Sequence, residues 1–228
     1  MILAIESATP RGSVALVSGG AALAEVLLSP GPRASASYIS AVEALFAAAG
    51  AATGDVSAVA VSASPGAFTG LRVGMSAAKG FCFGWSAPLV PVPTLLALAH
   101  RFPGEGRIVC PVQDARRGEV YAALFRWNGG ELERMSTDMA IAPVLLPGRI
   151  PDGDVLLCGD GVAPFGALFL EALGDRAIFV PGDEGFPRAS AVGIVAERIF
   201  RDGGAEDPRA VLPFYLRSSG TEFPVPRP

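Results

Sequence analysis

The hairpin that opens this chain is written again near its middle. Segments 2–6, 13–17 and 21–28 read as three short apolar strands, with Gly19-Gly20 as the hairpin turn between the last two. After Phe102-Pro103-Gly104 the pattern restarts. Segment 107–114 is a strand ending in an acid, 119–127 a second strand, Asn128-Gly129-Gly130 a turn and 131–137 a third strand. Glu6 returns as Asp114 after 108 residues, Arg11-Gly12 as Arg117-Gly118 after 106, and Gly19-Gly20 as Gly129-Gly130 after 110. Three landmarks near one offset predict a duplicated three-strand unit, hence two related halves, 1–104 and 105–228. The competing explanation is that hairpins simply look alike.

Between and after the repeats lie further elements. Ser29-Pro30-Gly31-Pro32 breaks the chain before a helix over 35–49, where Ile39, Val42, Leu45, Phe46 and Ala49 recur at helical spacing. A buried strand over 56–62 leads through a Pro-Gly turn into a helix over 69–84. A strand over 88–92 and a helix over 94–101 follow. The second half adds a strand at 155–158 and helices at 163–173 and 190–200. Segment 140–154 gives no clear pattern, and Pro224, Pro226 and Pro228 read as a loose tail.

Half of the 228 residues are hydrophobic and only 18% are charged, so the chain can bury a substantial core and is not a disordered one. Its apolar stretches are interrupted by Glu6, Glu25, Glu43 or Arg72, short of the ~20 residues that cross a bilayer. No basic leader precedes the opening strand, and a cytoplasmic location is expected. Cys82, Cys110 and Cys158, odd in number and widely spaced, are expected as small core residues in a reducing compartment. A net charge of −4 means that overall charge does not grip nucleic acid. His100 is the single histidine, so no multi-histidine metal site can form, and CxxC and HExxH are absent.

The most specific stretch runs from Ala63 to Gly74, Ala-Ser-Pro-Gly-Ala-Phe-Thr-Gly-Leu-Arg-Val-Gly. It reads as strand, tight turn and helix, with Thr69 as N-cap and Gly66 and Gly70 permitting close backbone approach. Helix-terminal amides there suit an anion, although a purely structural turn explains the same residues. It is neither a Walker loop nor GxGxxG. In the helix that follows, Arg72, Ser76 and Lys79 form one narrow polar stripe on an otherwise apolar surface. Glycines at 70, 74, 80 and 84 permit a close helix–helix approach. Such a helix is buried on more than one side, against its own sheet and against either a protein partner or the second half of the chain.

A second stretch, Asp114-Ala115-Arg116-Arg117-Gly118-Glu119-Val120-Tyr121, puts a carboxylate at a strand end. Its arginines can clamp phosphate or pair with Asp114 and Glu119. Ser7, Thr9 and Ser13 can donate to a phosphate or cap the first turn. No nucleophile–base pair is evident: GxSxG is absent, and His100 reads as a structural or surface histidine.

Residues 60–74 with Ala77-Ala78-Lys79-Gly80, the 114–121 stretch, Ile5-Glu6-Ser7 and the late Pro213-Phe214-Tyr215-Leu216-Arg217 together resemble the bacterial TsaB (YeaZ) family. The resemblance covers the first ~125 residues well and is weak before the C-terminal ~15. It implies an α/β, actin/hexokinase-like (ASKHA) fold of two related lobes, each a mixed sheet flanked by helices. It also implies a non-catalytic subunit of the assembly that makes threonylcarbamoyladenosine in tRNA beside the anticodon. The implied partners are a catalytic, metal-holding TsaD paralogue and a TsaE ATPase, with self-association as a dimer when the chain is alone and tRNA reached through the complex. The subunit would have no metal or cofactor of its own, with ATP or ADP at the complex interface. The implied pairing surface maps onto Ile39, Val42 and Phe46 of the first long helix and Phe68, Thr69, Leu71, Arg72, Met75 and Ala77 of the second. Two departures stand out. Ala34-Ser35-Ala36 replaces the family's His-Ser-Glu, and Glu6 replaces its usual Asp.

Three rivals are weighed against this. An active small kinase or ATPase of the same superfamily would set Glu6, Ser7, Thr9 and Asp114 near Mg-ATP. A metallopeptidase lacks its ligands, and a Rossmann dinucleotide binder lacks its glycine fingerprint.

Overall fold

The computed structural model describes residues 1–28, 34–213 and 216. The Ser29–Pro32 breaker, Phe214, Tyr215 and Arg217 of the late motif, and the proline-rich tail lie outside the described residues.

The first sheet has the order β3-β2-β1-β4-β5. Its strands are β1 (Ile2–Glu6), β2 (Ser13–Ser18), β3 (Ala21–Leu27), β4 (Ala58–Ser64) and β5 (Leu89–Pro93). The β1–β2 and β2–β3 pairs are antiparallel, and β1–β4 and β4–β5 are parallel. Every residue of β1 is buried, as a central strand covered on both faces requires. Leu3 and Ile5 face α1 (Ala34–Ala49) and α2 (Phe68–Trp85), packing with Val42, Leu45, Met75 and Cys82. Ile2 and Ala4 face the opposite side, where α3 (Thr94–His100) and α5 (Ala189–Arg201) supply Ala97, Val192 and Ala196.

Five of the seven strands of the second sheet repeat the order of the first, as β10-β7-β6-β11-β12. These strands are β6 (Ile108–Arg116), β7 (Glu119–Ala122), β10 (Met139–Ile141), β11 (Val155–Cys158) and β12 (Ala177–Phe179). Again two antiparallel pairings are followed by two parallel ones. The repeated acid takes the same place in each, Glu6 opposite Ser13 and Asp114 opposite Val120. The repeated glycines do not: Gly19-Gly20 joins β2 to β3, whereas Gly129-Gly130 joins two further strands, β8 (Phe125–Asn128) and β9 (Glu131–Arg134), that lie off this order. Gly19-Gly20 and Gly129-Gly130 all have positive φ, from 58° to 80°, as a two-residue hairpin turn demands. One face packs on α4 (Val162–Leu173) and the other on α3, whose Leu95 and Leu98 meet Val109, Phe125 and Cys158. Helix α3 is therefore the wedge between the two sheets. The three cysteines are buried and unbonded.

Several expectations need correction. Segment 119–127 is two strands, not one, because the ladder breaks at Ala123-Leu124. There the Leu124 N–H donates to Ser136 Oγ and its carbonyl accepts from Met135 N–H. Strand β7 turns outward to pair with β10, in a region without a sequence pattern, while β8 (Phe125–Asn128) pairs with β9 (Glu131–Arg134). The β4 strand starts two residues late, because Thr53–Asp55 forms a 3-10 turn and Ser57 N–H is taken by the Met1 carbonyl. All strands of the first sheet precede residue 104 and all those of the second follow it, yet α5 packs on the first sheet, against β1 and β2.

Helix α5 is held there by caps that come from far along the chain. Ser13 Oγ accepts the Ala189 N–H at 2.8 Å. The Glu25 carboxylate accepts the Ser190 N–H and O–H, both at 3.0 Å, at the positive end of the helix. Glu197 in turn accepts the Gly19 and Gly20 N–H groups of the β2–β3 turn. Gly193 lies so close to β2 that a Cβ would overlap Val17.

Candidate partner-binding flank and interlobe cleft

Helix α2 follows the Ala63–Gly66 turn, in which the Ser64–Pro65 peptide is cis. Its N-cap is Ala67, with no side-chain hydrogen bond, so Thr69 is not the cap but an exposed residue of the first turn. The Ala67 N–H is taken by the Ala8 carbonyl at 2.7 Å. The glycines divide into two sets. A Cβ at Gly66 would overlap Ala8, and one at Gly70 or Gly74 would overlap Ser7, whereas Gly80 and Gly84 face open space. The inward glycines thus serve to seat α2 on the loop after β1, and not on another helix.

Leu71, Gly74, Met75, Ala78 and Cys82 make the buried stripe of α2. Its principal neighbours are β4, α1, β1 and β5, all in the first lobe. The opposite flank, with Arg72, Ser76, Gly80 and Phe83, is exposed, and Phe83 and Ile39 of α1 each show 57% of their surface. Between α1 and α2 runs a shallow groove of about 630 Å³ lined by Ile39, Val73, Ala77, Gly80 and Phe81, with Arg72 and Ser76 at its polar side. The Arg72 guanidinium lies over the Phe68 ring, 3.8 Å from its centre. Phe81 stacks on Trp85, and Trp85 meets Phe46 edge-on. Of the anticipated pairing residues, Ile39, Phe68, Thr69 and Arg72 are exposed and Ala77 is half-buried on the groove. Val42, Phe46, Leu71 and Met75 are not on the flank. They belong to the core beneath it, on the buried sides of the same helices.

A second concavity, about 340 Å³, lies between the lobes. Ala8, Thr9, Pro10 and the turn at Gly66–Thr69 form its first-lobe wall. Gln113, Asp114, Arg116, Arg117, Tyr121 and Asp160 line the second-lobe side. Asp114 accepts the Arg116 N–H at 2.8 Å and pairs with the guanidinium at 2.9 Å. Asp160 Oδ1 accepts the Asp114 N–H at 3.0 Å. Burial, and then the charge of Asp114, push the Asp160 carboxyl up. Arg116 and Arg117 both adopt positive φ, 63° and 55°, in the β6–β7 turn.

Thr9 and Asp114 therefore reach the cleft, but Glu6 and Ser7 do not line it. Glu6 is fully buried, and its Oε1 accepts the Ala8 N–H at 2.5 Å. Its Oε2 has no hydrogen-bond partner among the described residues. Burial pushes its carboxyl up to about 7. The Ser7 N–H donates to Ser62 Oγ, and the Tyr38 O–H donates to the Glu6 carbonyl at 3.0 Å. The set Glu6, Ser7, Thr9 and Asp114 is not assembled around one cavity. Gln113 and Asp160 were not anticipated from the sequence. Asp160 has a legible signal, Gly159-Asp160-Gly161 directly after the buried β11, where a Cβ on either glycine would overlap Val112. Gln113 has none, being one polar residue in an apolar strand. His100 is half-buried with its ring 5.4 Å from Trp127, and is not part of the cleft lining. A metal held by paired histidines does not fit these residues.

Comparison with known proteins sets this geometry in a family. The family described as "TsaD: tRNA N6-adenosine threonylcarbamoyltransferase" matches residues 33–224. The tRNA threonylcarbamoyladenosine biosynthesis protein TsaB of Bacillus subtilis is 27% identical over 223 residues, covering 97% of this chain and 96% of that one. Its Escherichia coli namesake is 29% identical over 229 residues, covering 96% and 95%. The solved structure of YeaZ from Pseudomonas aeruginosa superposes with a TM-score of 0.79 at 26% identity, over 94% of this chain and 99% of that one. Component A of (R)-2-hydroxyglutaryl-CoA dehydratase from Acidaminococcus fermentans shares the fold alone, at TM-score 0.50 and 11% identity, over 86% and 97%. The paired mixed sheets are those of the actin/hexokinase-like fold, and the chain belongs to the TsaD family, among its TsaB (YeaZ) members.

Proposed function

We propose that this chain is the non-catalytic pairing subunit of the assembly that forms threonylcarbamoyladenosine in tRNA next to the anticodon. It docks a TsaD-like paralogue through the outward flank of α1 and α2. The observation that carries this is the exposed apolar groove beside α2, whose opposite side already fills the first-lobe core. The single histidine supports a partner, and not this chain, as the holder of the metal. A TsaE-like ATPase joins the same assembly, and ATP or ADP binds where its subunits meet. Contact with tRNA runs through the complex, in the cytoplasm. Without the paralogue, the flank pairs with a second copy. Among the described residues no helix is long and apolar enough to cross a membrane.

A cell deprived of this protein should lose threonylcarbamoyladenosine from its tRNA, read by mass spectrometry of digested nucleosides. Unchanged levels would refute the role. The docking surface is tested with Ala77→Arg, which places a charge on the groove floor. The variant should fold as the parent does and lose co-purification with the paralogue. Undiminished pairing would move the interface elsewhere.

A further inference from the structure

The interlobe cavity offers polar groups that its own walls leave unused. Gln113 is only 2% exposed and lines the cavity, yet neither Oε1 nor Nε2 has a hydrogen-bond partner among the described residues. A buried carboxamide in that state is costly, and a ligand that presents both an acceptor and a donor relieves it. On the first-lobe wall, the first turn of the 18-residue helix α2 reaches the cavity at Ala67 and Thr69. Among the described residues it has neither a side-chain cap nor an acidic residue in its first turn, so no carboxylate of that turn neutralises its positive end. On the second-lobe wall stand the carboxyl groups of Asp114 and Asp160 with Arg116, which pairs with Asp114 at 2.9 Å, and Arg117. Burial above all raises the Asp160 carboxyl, and a cation beside it would favour its charged form, as Arg116 already does in part.

We infer that this cavity binds a small zwitterion of the α-amino-acid type. Its carboxylate points to the first turn of α2, its ammonium to Asp114 and Asp160, and Gln113 hydrogen-bonds to it. Two carboxylates and two guanidinium groups, those of Arg116 and Arg117, line this wall and balance in charge, which suits a net-neutral ligand better than a phosphate ester with its several negative charges. A bare cation would leave the helix end and the carboxamide unanswered. The volume, about 340 Å³, lies at the lower end of the ~300–1,000 Å³ range of small-molecule sites. This site is separate from the α1–α2 groove, and its occupancy does not depend on the pairing role.

The test uses the purified full-length chain and saturation-transfer NMR. The twenty L-amino acids are presented singly, with Mg-ATP and inorganic phosphate as separate probes. At least one amino acid should bind with a Kd below about 1 mM. Gln113→Leu and Asp160→Asn should each weaken it tenfold or more while keeping the parent circular dichroism. If one variant fails to fold, the other decides, together with competition by the unlabelled ligand on the parent. The inference is overturned if no amino acid gives a signal. It is equally overturned if Mg-ATP or phosphate binds and no amino acid displaces it, or if a folded variant binds as tightly as the parent.

Discussion

Glu6 shows how a single residue can set a pH dependence for the whole chain. Its carboxyl titrates near 4.5 in an unfolded chain and at about 7 when buried in the fold. The folded state therefore holds the proton more tightly. The stability this contributes is complete below about pH 4.5 and is lost as pH rises through about 7, amounting to ~3 kcal/mol. Glu6→Gln keeps the acceptor for the Ala8 N–H and removes the charge. Its stability relative to the parent, from urea melts, should be near zero at pH 4 and rise by about 3 kcal/mol at pH 8. A difference that stays flat across that range would show that Glu6 is not buried as an acid. The sequence displayed Glu6 as a strand-end acid, one turn from the cleft. It could not display that the neighbouring loop folds the carboxyl away from the cavity, because that depends on how α2 sits. Gln113 was illegible for a similar reason. Whether an isolated polar residue in an apolar strand is satisfied depends on what lies opposite, and nothing local encodes that.

At the level of the element, α2 was the most readable part of the chain, and its glycines the least. The all-round apolar character predicted a helix engaged on two sides, of which the structure buries one in the first lobe and leaves the other exposed. Its four glycines at four- and six-residue spacing looked like one close-packing stripe. The structure divides them between a crowded side and an open one, which makes opposite predictions. Gly74→Ala should destabilise the isolated chain by about 1–3 kcal/mol, since the added Cβ overlaps Ser7. Gly80→Ala meets nothing and should stabilise it by about 0.5–1 kcal/mol through helix propensity. Thermal melts of the two variants check the pair, and like signs would contradict the assignment of faces. Because Gly80 lines the α1–α2 groove, the same substitution should weaken pairing with the paralogue while it stiffens the helix. The end of α5 was hidden from the sequence in another way. No capping residue adjoins it, because its caps are Ser13 and Glu25 on strands at the other end of the chain.

For the molecule as a whole, the repeated strand-end acid and Arg-Gly turn were enough to expect two related sheets, because strand pairing and turn chemistry are local, although the second Gly-Gly closes an added hairpin, β8–β9. Which sheet each helix covers is not local. The second half of the chain gives α4 to its own sheet and α5 to the other, so the lobes are interleaved through sequence although their strands are not. Gly193→Val should therefore act at a distance in sequence. With its side chain driven into Val17 and Ala4, hydrogen exchange should accelerate in β1 and β2 more than in β6 and β11. Acceleration confined to β6 and β11 would place α5 with the second sheet instead.

The same placement bears on how the protein is made. During synthesis the opening strands leave the ribosome first, but the face carrying Ile2, Ala4, Ala15 and Val17 has only α3 to cover it until Arg201 has emerged. The nascent chain must therefore carry a sticky, half-clad sheet through most of translation, and the surface offered to a partner has firm backing only once the last helix arrives.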